Sequence, residues 1–242
     1  MNRQALKDLH AGPKSEREMR ADFFVYALYR PISFAVTPAF LSIGATATNV
    51  TMLNLLLASL MPLIALCAPD QAYIGLALIT FSCIVLDCVD GNIARATGSG
   101  SALGQYLDSM VGKAYYLLLV IALAIVAHGE VPQIGLGYWL AGALAASVLK
   151  IWGREARAYC RLNFSQGEAP VATASVGWQQ ILFSAAKLVP FGLLALGSIG
   201  MTGLLLGALL LMSLTVFLHT QLRILRQLSR TTAPQGGLAA EP

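Results

Sequence analysis

Asp87, Asp90 and Asp108 place three carboxylates in sequence that is otherwise apolar enough to lie within a membrane. An ionised side chain at the centre of a bilayer costs roughly 2.5–3.5 kcal/mol even on the gentler insertion scales, so such residues mark ion or substrate sites. Asp87, Asp90, Gly91 and Ala94 recur at i, i+3, i+4 and i+7, which is one face of a helix. Gly104 and Asp108 stand at i and i+4, again on one face. Two such helices side by side bring three hard oxygen ligands to one cleft, a set that suits Mg²⁺ or Mn²⁺. Acids sharing a cleft repel one another, and they coexist there with a cation or by protonation. The glycines leave room for something bulky.

These residues fall on the pattern D-x2-D-G-x2-A-R-x8-G-x3-D-x3-D, and in it the chain resembles the CDP-alcohol phosphotransferases. Asp87, Asp90, Gly91, Ala94, Arg95, Gly104 and Asp108 match at the right separations, while Gly112 stands where that family has its fourth aspartate. The resemblance implies one or two divalent ions, Mg²⁺ or Mn²⁺, held by Asp87, Asp90 and Asp108 against the diphosphate of a CDP-alcohol. It implies that Gly91, Ala94 and Gly104 let the nucleotide approach closely, and that Asp108 and Arg95 serve the chemistry. The implied reaction is attack of an acceptor hydroxyl on the β-phosphorus with release of CMP, in phospholipid synthesis, with CDP-diacylglycerol as the expected donor. A homodimer is implied by the resemblance alone. In the family the fourth aspartate is held to ligate metal and take the hydroxyl proton, and Gly112 can do neither. Three explanations stay open: a substitute base, a hydroxyl made more acidic by the metal, or a protein that binds without turnover. Glu155 and His219 are the candidates for a substitute.

Four further cations have informative spacing. Lys150, Arg154, Arg157 and Arg161 recur at i, i+4, i+7 and i+11 and can share one helical face. They form either a positive-inside anchor or a pocket for a phosphate or lipid headgroup. Lys187 sits in the middle of an apolar stretch, where a cation needs a partner or a wet cavity, which argues for a pocket-facing, substrate-binding role beside Arg154 and Arg157. Arg95 is either a topology anchor or a group that orients phosphate or an aspartate.

The elements that must position these groups are read from hydropathy. Over 242 residues the chain is 57% hydrophobic and 12% charged, with mean hydropathy +0.67, which leaves too few polar residues to cover a globule of this size. The expectation is an all-α membrane helix bundle of six transmembrane helices, near residues 50–68, 73–94, 103–127, 136–151, 178–197 and 201–218, the fourth being short. Lys187 apart, every Lys and Arg then falls on one side, and the opposite loops carry none, so both termini and the acids face the cytoplasm. The net charge of +4 is thus a topology signal, not one of nucleic-acid binding. Helix rise places Asp87 about 22 Å and Asp108 about 30 Å from the outer boundary, towards the cytoplasmic edge. The expected setting is a multi-pass protein of the bacterial inner membrane.

Residues 1–242 read as one integral-membrane domain, with a cytoplasmic or interfacial segment at 1–47, the bundle at 48–222 and a cytoplasmic tail at 223–242. Met19, Phe23, Tyr26 and Ala27 recur at helical spacing among charges, which predicts an interfacial amphipathic helix ended by Pro31. Pro38 and Gly44 then break the chain, and Thr48 or Asn49 caps the first span. The run from Thr97 to Ser101 is a flexible link that lets the two acidic helices run antiparallel. Cys67, Cys83, Cys88 and Cys160 have neither CxxC spacing nor histidine partners, so zinc and a disulfide framework are not indicated. The reading is therefore a metal-dependent enzyme acting on a CDP-alcohol and an acceptor alcohol at the bilayer. Its rivals are a catalytically impaired relative that binds CDP-lipid or a partner, and an ion or proton transporter.

Overall fold

The computed structural model of the protein describes residues 3–10, 19, 22–164 and 185–231. Among these residues the chain is helical between short turns, with no strand. In chain order the helices are α1 (Arg3–His10), α2 (Arg30–Ser42), α3 (Ala47–Cys67), α4 (Ala72–Thr97), α5 (Ala102–Glu130), α6 (Leu136–Phe164), α7 (Val189–Gly197) and α8 (Thr202–Thr231). Five stretches are long and apolar enough to cross a membrane: Ala47–Cys67, Pro69–Thr97, Ala102–Glu130, Leu136–Cys160 and Thr202–Arg226. The chain is therefore a multi-pass membrane protein. The expected span at 178–197 falls partly outside the described residues, and its described portion, Ala186–Gly197, is a shorter apolar helix. The fourth span is not short, since α6 runs for 29 residues. Its apolar part reaches a mean hydropathy of only 1.2 against 1.9–2.2 for the other four, because Lys150, Tyr138, Trp139 and Trp152 stand within it.

α3 is the central support. It packs along both α4 and α5, whereas α4 and α5 touch each other little, so the two acidic helices splay on either side of a common partner. α6 packs on α5 and α8, α7 on α4, and α2 on α4. Small residues at the crossings, among them Ala58, Ala65, Ala77, Ala122 and Ala124, are fully or almost fully buried and let the backbones approach closely, which in lipid replaces water exclusion as the source of helix association. Leu56, Leu63, Leu66 and Leu78 stay exposed on the outside, as lipid-facing residues do.

Three local expectations are corrected. Pro31 does not end a helix: a π turn at Val25–Tyr29 leads directly into α2, with Pro31 in its first turn, where proline's missing N–H costs no bond. Pro38 lies inside α2. There the Thr37 hydroxyl donates to the Ser33 carbonyl at 2.7 Å and the Ser33 hydroxyl to the Arg30 carbonyl at 2.8 Å, so side chains occupy carbonyls of that helix. The break comes only at Gly44, whose φ of +71° suits glycine. The cap of α3 is Thr46, not Thr48 or Asn49: its hydroxyl accepts from the Asn49 N–H at 3.2 Å.

At the far end of α4, Gly98 at φ +62° stops the helix, and Ser101 starts α5 by accepting the Gly104 N–H at 3.0 Å. These two devices set the short turn between the helices that carry Asp87, Asp90 and Asp108.

Candidate active site

Two cavities meet at Asp108. The first, of about 580 Å³, lies between the α2–α3 turn and the α4–α5 turn, and its wall includes Thr46, Asp90, Gly91, Ala94, Gly104 and Asp108. Ser99, Gly100 and Ser101 close one side of it. The second, of about 440 Å³, lies among α3, α4, α5, α6 and the approach to α7. Asp87, Asp108 and Gly112 line it, together with the four cations Lys150, Arg154, Arg157 and Lys187. One cavity is thus walled by small residues and the other by positive charge, with a carboxylate at their boundary.

The three acids do not converge as the spacing suggested. The Asp108 carboxyl lies within hydrogen-bonding reach of the Asp87 carboxyl. Asp90, only 7% exposed, turns to α3, where the Thr51 hydroxyl donates to its Oδ2 at 2.8 Å. Residues three apart on a helix diverge by about 60°, enough for Asp87 and Asp90 to open onto different cavities. Among the described residues no three acidic, histidine or cysteine side chains gather around a single point. The adjacent Asp87 and Asp108 carboxyls still fit a hard divalent ion, since two like charges in contact need a cation or a proton between them and both offer only oxygen donors.

Arg95 lines neither cavity. Its Nη2 donates to Asn92 Oδ1 at 2.8 Å, and its guanidinium lies across Gly91, where an added Cβ would meet both Nη atoms at 3.4 Å. Asn92, 2% exposed, also accepts from Arg30 Nη1 at 3.2 Å and donates to Ser33 Oγ at 3.0 Å and Thr37 Oγ1 at 3.1 Å. Sequence reasoning missed this buried knot between α2 and α4. The readable signal was an asparagine inside an apolar helix, which in lipid must find partners.

Among the basic residues, Lys150 sets its Nζ 3.3 Å above the centre of the Tyr116 ring, a cation–π contact that holds a buried ammonium at the cavity wall. Arg157 Nη1 donates to Thr220 Oγ1 of α8 at 2.9 Å. The side chain of Arg161 lies outside the described residues. Lys113 pairs with Glu155 across α5 and α6. Arg154 extends towards α5, and a Cβ at Gly112 would stand 3.8 Å from its Nη1, so a guanidinium faces the position where the fourth aspartate of the pattern is missing.

The two candidates for a substitute base are not at this place. Glu155 is engaged by Lys113 and borders a separate groove with Trp152, Tyr159 and Gln221. His219 lines neither of the two cavities. Polar lining residues that had not been read from sequence are Tyr115 of α5, Asp22, which precedes the π turn, and Asn54 of α3, whose Nδ2 donates to the Cys83 carbonyl at 3.2 Å.

Chemically, the arrangement offers a small-walled slot and a cationic chamber joined at a carboxylate pair, which can hold two reactants with the reacting phosphorus between them. Among known proteins, the family model described as CDP-alcohol phosphatidyltransferase matches residues 45–221. No curated protein matches the chain.

Proposed function

Because the chain belongs to the CDP-alcohol phosphatidyltransferase family, we propose that it transfers the phosphatidyl group of CDP-diacylglycerol to the hydroxyl of an acceptor that carries an anionic group, releasing CMP. The observation that carries this reading is the pair of cavities sharing Asp108. The cytidine diphosphate lies in the first cavity, where Gly91, Ala94 and Gly104 give it room and the Ser99–Ser101 turn borders the diphosphate. The acceptor lies in the second, where Arg154, Arg157 and Lys187 neutralise its charge. The diphosphate then spans the boundary, with its β-phosphorus facing the acceptor chamber. Binding both reactants in fixed apposition replaces an encounter in solution by a positioned one, a large part of the barrier for such a transfer.

A divalent ion, Mg²⁺ or Mn²⁺, would be held by the adjacent Asp87 and Asp108, with Asp90 bordering the nucleotide cavity beside them, and when bound it supplies charge neutralisation for the diphosphate. Arg95, fixed by Asn92, keeps the α4 helix face in register and holds a positive charge beside Gly91. The orientation follows from charge: the site and both termini face the cytoplasm, the source of nucleotide and of soluble acceptors.

Purified protein in vesicles containing CDP-diacylglycerol, supplied with Mg²⁺ and in turn with sn-glycerol 3-phosphate, myo-inositol 1-phosphate, free myo-inositol and glycerol, should release CMP with an anionic acceptor and not with the uncharged ones. Release with glycerol or free inositol alone would overturn the anionic-acceptor assignment. Gly112 favours a second reading, a relative that binds CDP-lipid without turnover. Binding of CDP-diacylglycerol with no CMP release from any acceptor would decide for it.

A further inference from the structure

The transfer leaves a proton to be placed. The acceptor hydroxyl must lose it as the new phosphorus–oxygen bond forms, and Gly112 has no group to take it. We infer that Asp22, a carboxylate contributed from outside the region that matches the family model, is the proton acceptor of this chain; the inference rests on the phosphatidyl-transfer reading.

Three carboxylates line the acceptor chamber: Asp22, Asp87 and Asp108. Asp87 and Asp108 are adjacent to each other at the boundary with the nucleotide cavity, where the diphosphate and its cation require them. Asp22 shares the chamber with Gly112 but comes from a different element. It is held there by the start of its own helix: its carbonyl accepts the Tyr26 N–H at 3.1 Å, and its Oδ1 accepts the Val25 N–H at a long 3.4 Å. One turn further on, the buried Tyr29 hydroxyl donates to the Lys187 carbonyl at 2.5 Å. The segment carrying Asp22 is therefore docked on the residue whose side chain forms another part of the same wall.

An independent feature points to a hydrogen-bond donor on the occupant of this chamber. Asn54 is 6% exposed, and with its Nδ2 committed to Cys83 its Oδ1 has no hydrogen-bond partner among the described residues. A buried carbonyl oxygen of this kind costs roughly 1–3 kcal/mol until something donates to it. The wall also carries three carboxylates and four cations, and a donor on the occupant completes the set at Asn54. An acceptor molecule with hydroxyl groups and an anionic group satisfies Asn54 and the cations together, and leaves its reacting hydroxyl to Asp22.

In the step so assigned, the acceptor oxygen bonds to the β-phosphorus and the bond from that phosphorus to the bridging oxygen breaks. The electron pair of that bond leaves with CMP. The hydroxyl proton passes to the Asp22 carboxylate and from there to water. General-base assistance of this sort contributes about 10²–10⁴-fold in rate.

The test uses the full chain in CDP-diacylglycerol vesicles with Mg²⁺ and whichever acceptor supports wild-type release. Asp22→Asn should bind CDP-diacylglycerol like wild type in calorimetry while CMP release in a single turnover falls about 10²–10⁴-fold. Gly112→Asp introduced into that variant restores the carboxylate at the position of the family pattern, and should recover at least about a tenth of the lost rate. A purely structural role for Asp22 would not be rescued from Gly112. Wild-type release that survives Asp22→Asn within about threefold, or that is lost with no rescue by Gly112→Asp, overturns the assignment alone. A wild-type chain that binds CDP-diacylglycerol but releases no CMP with any acceptor overturns the transfer reading as well.

Discussion

Asp108 borders both cavities and lies beside the Asp87 carboxyl, so a ligand in either cavity meets it. Asp90 differs in that it is buried and tied to Thr51, and its loss would disturb the α3–α4 contact as well as any ion. Asp108→Asn therefore separates binding from folding. It keeps the size and a hydrogen-bonding group but removes the charge that attracts a cation. Mn²⁺ titrated calorimetrically into this variant should bind at least about 10–100-fold more weakly than into wild type, a loss that even outer partners of a metal site commonly cause. Thermal unfolding in detergent should be unchanged. Equal Mn²⁺ affinity in the two proteins would show that the carboxyl pair serves no ion.

At the scale of elements, α2 and α4 are joined through one asparagine. Asn92 accepts from two guanidinium groups and donates to two hydroxyls. Interhelical hydrogen bonds in membrane proteins average only about 0.6 kcal/mol, with the strongest near about 1.7. Asn92→Ala should then cost about 2–3 kcal/mol in unfolding experiments, whereas Asn92→Asp, which still accepts from Arg30 and Arg95, should retain most of the stability. Equal losses for the two variants would mean that the guanidinium contacts contribute little. Five of the six expected spans and the acidic helices were legible in the sequence because lipid demands long apolar runs and because a helical face repeats every 3.6 residues. What was not legible has physical reasons. Asp22 follows the charged run Glu16-Arg17-Glu18-Met19-Arg20, which reads as the polar face of a helix in the membrane interface, and only tertiary docking through Tyr29 places it at a cavity wall. Asp87 and Asp90 share a face in a wheel diagram, yet a third helix with a hydroxyl at Thr51 draws them apart. Pro31 and Pro38 looked like breaks because the sequence does not say where a helix begins: Pro31 falls in the first turn of α2, where no N–H is needed, and Pro38 lies within a helix that packs on α4.

Across the whole molecule, the apolar exterior points to a bilayer, and the orientation proposed above rests on the basic ends of the helices. Gln71 and Ser99 stand at opposite ends of the Pro69–Thr97 span and are both exposed. In a chain with Cys67 and Cys160 replaced by serine, a membrane-impermeant maleimide applied to intact cells should label Gln71→Cys and leave Ser99→Cys unmodified. Labelling of Ser99→Cys from outside would invert the orientation and place the acceptor chamber away from the cytosol. The π turn at Val25–Tyr29 also bears on how such a molecule changes over generations. A π turn holds one residue more than the α-helix around it, so an in-frame loss of one codon there rewinds the segment and swings everything before it by about 100°. Asp22 would then leave the chamber wall while the helices embedded in lipid stay as they are. A single inherited step of this kind thus removes a carboxylate from the wall and leaves the five apolar spans untouched.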